Sequence, residues 1–293
     1  MSESLVRSIG GLANQHLFYN VDVIIYTEGG AEHRTITDAL NQGSDETHDS
    51  AFWRSLFRAL RPHLAVQVKS VGSKKVAREI AVLVNSAGVN NILVCVDRDF
   101  EAPWDPASGE PAECRSRAYS WEGDLARLDV MEAAFFRIRP YSLRAQTIFD
   151  EYAQWHEQFL GSLLEPVCRD KERVNAGSAG AFCRDNPRRN IQFSGNQPPA
   201  IDEAFLAARI NAPLTGSQPI ASIDQNEICP HRDCFGKVIV ISNYHAFIHY
   251  VQKVHKGRVD FDTFLNIAIS VLSDVYVPGT NIYQYYDNQM TVH

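Results

Sequence analysis

Asn91-Ile92-Leu93-Val94-Cys95-Val96-Asp97-Arg98-Asp99-Phe100 is the stretch from which the fold of this 293-residue chain is best read. Its unbroken apolar run, Ile92 to Val96, is rich in β-branched residues and predicts a strand covered on both faces, as in a parallel sheet between helices. The run stops at Asp97 and Asp99. Side chains two apart on a strand share a face, so the pair predicts two carboxylates aimed at one point beyond the strand's carboxyl end, where open α/β sheets bind ligands. Carboxylates so placed repel unless a proton or a cation lies between them, and Mg²⁺ takes oxygen ligands of this kind. Taken alone, Asp-x-Asp also reads as a solvated acidic turn.

Working upstream, residues 21–27 form a second β-branched run that closes on Glu28-Gly29-Gly30. The glycines permit a tight turn and a close backbone approach. Between the two runs, Phe52, Trp53, Leu56, Phe57 and Leu60 fall at helical spacing and Pro62 ends that helix. Residues 64–68 predict a strand, Ser73 an N-cap, and 74–85 a helix. The order β-α-β-α-β predicts an α/β fold: a parallel sheet flanked by helices, with right-handed crossovers. Residues 31–50 are polar, and 101–113 hold three prolines and read as a loop. Residues 116–121 predict a further strand ending at Glu122, and 125–138 a helix.

From about 141 the character changes. Residues 141–167 predict one long helix, 168–200 a basic irregular insertion, and 201–210, 238–255 and 261–275 further helices. The tail holds Tyr276, Tyr283, Tyr285 and Tyr286, able to pack on the body or on a partner. The expected organisation is an α/β domain over 1–140 and a helical region over 141–293.

A composition of 45 % hydrophobic and 22 % charged residues is that of a soluble globular protein. Six scattered cysteines and the lack of a long apolar run predict a cytoplasmic protein with reduced thiols and no membrane span. The net charge of −7 does not advertise a nucleic-acid binder, yet Arg54 to Arg78 carries seven basic residues and no acidic one. That segment reads either as a phosphate footprint, with Lys69, Lys74, Lys75 and Arg78 as contacts, or as charged helix faces in solvent. Arg188 and Arg189 in the later insertion are weighed in the same way. Cys229 and Cys234 flank His231, but no second ligand pair at zinc spacing accompanies them. There is no P-loop and no Gly-x-Ser-x-Gly elbow, and His245 and His249, one helical turn apart, have no acid to complete a metalloprotease set.

The strand ending Tyr26-Thr27-Glu28-Gly29, the middle βα unit, and the strand ending Val96-Asp97-Arg98-Asp99-Phe100 together resemble a Toprim domain over about residues 20–125. Phe52-Trp53, Val71-Gly72-Ser73-Lys74, Tyr119-Ser120-Trp121-Glu122 and Cys234-Phe235-Gly236-Lys237 are similar to the OLD-like Toprim nucleases encoded beside ABC-type ATPases, including the anti-phage effectors of the PARIS type. The resemblance implies a metal-dependent nuclease. Glu28, Asp97 and Asp99 would hold Mg²⁺ or Mn²⁺ and serve catalysis, with Glu122 as a further metal ligand and Lys237 stabilising the phosphate. It also implies an ABC-type ATPase partner that restrains the enzyme, a nucleic-acid substrate with RNA, possibly tRNA, favoured over DNA, and a homodimer when active. Two departures stand out: Glu32 lies where the family has Asp in Glu-Gly-x-x-Asp, and Gly123 replaces the Asn that follows the later Glu. Strand transfer of the topoisomerase kind and a non-catalytic Toprim module that senses through a partner ATPase are the rival readings.

Overall fold

Val23, Ile24, Ile25, Tyr26 and Thr27 form a strand (β1) in which no residue exposes any surface, so it must run through the middle of its sheet. In the computed structural model it is flanked by Val66–Ser70 (β2) on one side and Ile92–Val96 (β3) on the other, and Cys114–Arg115 (β4) forms the edge, giving the order β2-β1-β3-β4. All three pairings are parallel, with Thr27 in register with both Ser70 and Cys95. The protein is thus an α/β structure with a helix-flanked parallel sheet, followed by a largely helical region. The structure describes residues 9–30, 36–41, 46–102, 105, 113–139, 141–194, 197–216, 219, 221–254, 257 and 259–290.

Each face of the sheet is closed by a helix whose apolar stripe follows from its sequence. Val76, Ala77, Ile80, Ala81 and Val84 of the helix Lys74–Ser86 pack with Ile24, Tyr26, Ile92, Val94 and Val96 in one core. Phe52, Trp53, Leu56 and Phe57 of the helix His48–Leu60 are fully buried, and this helix contacts β1 and β2. Both helices start where expected from their caps: Thr47 Oγ1 accepts the Ser50 N–H at 3.1 Å and Ser73 Oγ the Val76 N–H at 3.3 Å.

The chain divides into two compact units, residues 1–117 with 269–293 and residues 118–268. This does not coincide with the expected boundary near 140. The last residues return to the α/β unit because their side chains satisfy its edge. Tyr285 Oη donates to the carbonyls of Arg115 and Ser116 at 3.3 and 3.2 Å, Gln289 Oε1 accepts the Arg115 N–H at 3.0 Å, and Tyr286 Oη accepts the Arg117 N–H at 2.9 Å. The aromatic tail therefore packs on the body, with Tyr286 edge-on to Trp53 at 6.0 Å.

In the helical unit the long helix expected over 141–167 is two, Leu143–Ser162 and Leu164–Asn175. The expected irregular insertion is more ordered than its composition implies. Asp170 is fully buried, pairs with Arg184 at 2.7 Å and accepts the Phe182 N–H at 3.0 Å. A short antiparallel pair, Ile191–Gln192 (β5) and Ala200–Ile201 (β6), follows. The helix Gly236–Val251 is buried along Val238, Ile239, Ser242, Asn243, Ala246 and Phe247. No helix among the described residues is long and apolar enough to cross a membrane.

Candidate active site

Glu28 is the first residue beyond β1 and Asp97 the first beyond β3, and these strands are neighbours. Parallel pairing puts both residues at the same sheet edge, where their carboxyls hydrogen-bond to each other. Asp99 reaches that edge by a different route from the one expected. The strand ends at Val96, Arg98 turns inward with its N–H donated to Ser116 Oγ at 2.9 Å, and Asp99 takes a left-handed backbone with φ 54°. Aspartate tolerates that conformation better than most residues. A turn, and not the strand pleat, brings the second aspartate round.

The electrostatics are those of crowded acids. Burial, together with the charges of Asp99 and Asp49, pushes the Glu28 carboxyl up to about 7, against the opposing pull of the Asp97 hydrogen bond and Lys74. Glu28 Oε2 is buried and accepts no hydrogen bond. Lys74, in the first turn of the helix after β2, holds Asp99 Oδ2 at 2.7 Å and Glu101 Oε1 at 3.1 Å. From there the pairs continue in alternation. Arg78 bonds Glu101 and also Glu113 at 3.0 Å, and Arg115 bonds Glu113 at 2.5 Å.

Two adjoining carboxyls, and an acceptor oxygen with no donor, have the donor chemistry a hard divalent cation takes. Among the described residues, however, no group of three His, Cys, Asp or Glu side chains is arranged to hold a metal ion, and Asp99 is paired with Lys74. The oxygens of Glu28 and Asp97 are of the kind a cation takes, and Asp99 stands beside them on Lys74. Glu32, the acid at the Glu-Gly-x-x-Asp position, lies outside the described residues.

Asp49 was not legible as part of this site. It sits in the first turn of the helix His48–Leu60, accepts the Gly29 N–H at 3.1 Å through Oδ2 and the Trp53 indole N–H at 3.1 Å through Oδ1. A Cβ on Gly29 would stand 2.5 Å from Asp49 Oδ2, so the glycine after Glu28 is required by this carboxylate. The available signal was an acid one turn before a buried tryptophan.

The chain matches no protein-family model, and no curated protein matches it in sequence.

The remaining expected residues fall into distinct settings. Lys69 is fully buried; its Nζ donates to Tyr19 Oη at 2.7 Å and to the Leu40 carbonyl at 3.3 Å and lies 4.3 Å from the Tyr19 ring centre. It stands beside Tyr26 in register and serves the core, which removes it as a phosphate contact. Lys74 and Arg78 are spent on acids, leaving Lys75 as the exposed cation of that group. In the helical unit, Glu122 opens the helix Trp121–Leu125 and does not end a strand, since β4 stops at Arg115. It is buried, which raises its pKa, and Ser120 and Lys237 pull the other way. Lys237 is exposed, and its neighbour Gly236 sits where a Cβ would come within 2.0 Å of Ser120 Oγ. That close approach is why glycine precedes the lysine. Cys229 is exposed, Cys234 buried, and all six thiols are free.

Proposed function

We propose that this chain is a divalent-metal-dependent Toprim nuclease of the OLD-like group. It hydrolyses phosphodiester bonds of nucleic acid, with RNA, including tRNA, favoured over DNA. The observation that carries the reading is the meeting of Glu28 and Asp97 at the carboxyl edge of adjacent parallel strands, with Asp99 beside them. Bound between these acids, Mg²⁺ or Mn²⁺ would polarise the phosphate and offset charge on the leaving oxygen.

The residues of the chain supply the rest. Glu28, whose carboxyl stands near 7 in the metal-free protein, would serve either as a ligand to the cation or, with the cation on the aspartates, as the group that takes a proton from the attacking water and returns it to the departing sugar oxygen as the P–O bond breaks. In the metal-free protein Asp97 holds Glu28 in place through their hydrogen bond, the position a cation would take over. Lys74 fixes Asp99, and its ammonium can turn toward a phosphate when Asp99 is engaged elsewhere. By the resemblance, Lys237 is proposed as a further phosphate contact and Glu122 as a further metal ligand. By its resemblance to the anti-phage effectors of the PARIS type, the protein acts as a toxic effector restrained by an ABC-type ATPase and is active as a homodimer.

The test is growth of cells expressing the chain, Glu28→Gln or Asp97→Asn, with total RNA and DNA run on gels, and purified protein assayed with and without EDTA. Arrest and fragmentation with the parent chain, absent in both variants and in EDTA, are expected. Co-expression of the ATPase should restore growth. The Lys74–Asp99 pair favours one rival, a non-catalytic module whose acids are neutralised internally. Fragmentation unchanged by both substitutions would sink the nuclease reading. No fragmentation even after release from the ATPase would favour the module.

A further inference from the structure

The helical unit holds a pocket of about 640 Å³ walled by the turn Pro187–Asn190, residues between β5 and β6, and the helix Gly236–Val251. Its size suits a nucleotide-sized ligand. Arg188 and Arg189 line it, both exposed, and Phe193 leaves 45 % of its surface open. His245 lies against Phe193 with ring centres 4.5 Å apart and planes tilted by 59°. Arg188 Nη2 donates to His245 Nε2 at 2.9 Å, which keeps the imidazole neutral with its proton on Nδ1. The Arg188 guanidinium carbon lies 5.9 Å from the Phe193 ring centre. The amides of Gln197 and Gln252 complete the wall.

The positive charge of this pocket is not offset by neighbouring acids. Arg78, Arg115, Arg184 and Arg232 each pair with a carboxylate. Arg188 and Arg189 form no ion pair among the described residues, and no acid lines the pocket. Two adjacent guanidiniums suit the non-bridging oxygens of a phosphodiester. An exposed ring beside a neutral imidazole is a stacking platform for a flat heterocycle, and amides can pair with its edge. Bases inside a duplex are stacked on one another and cannot reach such a platform.

We propose that this pocket binds an unpaired nucleotide of single-stranded nucleic acid, the base against Phe193 and the phosphates on Arg188 and Arg189. The assignment rests on the nucleic-acid reading above and narrows it to a strand that presents an unpaired base.

Binding is best measured by fluorescence anisotropy on full-length Glu28→Gln protein, which leaves the probe intact. The probes are short labelled RNA and DNA single strands and the same sequences as duplexes, with adenosine monophosphate as competitor. Single strands should bind about tenfold or more tightly than duplexes, and Phe193→Ala should weaken them by about 5-fold or more while Phe193→Trp holds. Arg188→Ala and Arg189→Ala should each lower the salt dependence of binding by about one phosphate contact, a slope change near ~0.7. Competition by the monophosphate at the concentrations of the strand would uphold the pocket and identify a free nucleotide as the occupant. Equal affinity for duplex, or wild-type affinity in the Phe193→Ala and arginine variants, overturns the assignment. Cleavage by the parent chain is a separate readout: its absence with binding intact counts against hydrolysis alone, and cleavage with binding unmoved by these substitutions counts against the pocket alone.

Discussion

Glu28 is asked to be both reactive and folded, and the two demands conflict. Its carboxyl rises to about 7 from an ordinary 4.5 because burial and neighbouring acids disfavour the charge. A folded-state pKa above the unfolded one means the contribution to stability is complete below the unfolded value and is lost as pH rises through about 7. In EDTA the protein should therefore lose stability between about pH 5 and 8, by roughly 1–3 kcal/mol once water reaching this half-buried group is allowed for. Glu28→Gln should flatten that loss in thermal melts while abolishing activity, and Mg²⁺ should restore stability to the parent at pH 8. A parent melting curve indifferent to pH across that range would contradict this. The neighbouring glycine gives a second expectation. Gly29→Ala drives a methyl into Asp49, at a cost of about 1–3 kcal/mol in urea unfolding. Asp49→Ala removes that obstacle but strands the Gly29 and Trp53 N–H groups, so the double variant should lose less than the sum of the singles.

At the scale of elements, the helix Asn281–Gln289 does for β4 what a further strand would do. Exposed strand edges invite pairing with other chains, and here the side chains of Tyr285, Gln289 and Tyr286 meet the backbone groups of Arg115, Ser116 and Arg117. Gln289→Ala combined with Tyr285→Phe should leave the fold intact but raise self-association, measured by light scattering against concentration. Unchanged scattering would show that the edge needs no such cover. This helix also shows where reading the sequence stops. The strands β1 and β3 were legible because a strand buried on both faces needs an unbroken apolar run, β2 because Val66 and Val68 alternate with polar residues, and the Ser73 cap because its signal is local. β4 was not, having only two residues, both in a polar stretch. Glu28, Asp97 and Asp99 were legible as acids after such runs. The pairing of Lys74 with Asp99, of Arg78 with Glu113 and of Arg61 with Asp287 was not, because each partner lies 25 or more residues away and nothing local marks it. Lys69 failed for a related reason. Alternation places it on a covered face, and only the fold supplies the Tyr19 hydroxyl and Leu40 carbonyl that let an ammonium stay there.

For the whole molecule, the two units have different kinds of boundary. Residues 118–268 are continuous, whereas the α/β unit is closed by residues after 269. Residues 118–268 expressed alone should give a cooperative melt by circular dichroism, and residues 1–117 alone should aggregate, since Trp53 and β4 then lose Tyr286 and its neighbours. A well-behaved 1–117 fragment would show that the returning segment is dispensable. The same topology governs the newborn chain. On the ribosome the acids of the sheet edge emerge early, but the helix that closes their unit follows the whole of 118–268. At about 5–20 residues per second, roughly ten to thirty seconds of translation separate the two. Through that interval every nascent copy carries its acidic residues in an unclosed unit, and a prematurely terminated message yields protein that cannot complete it.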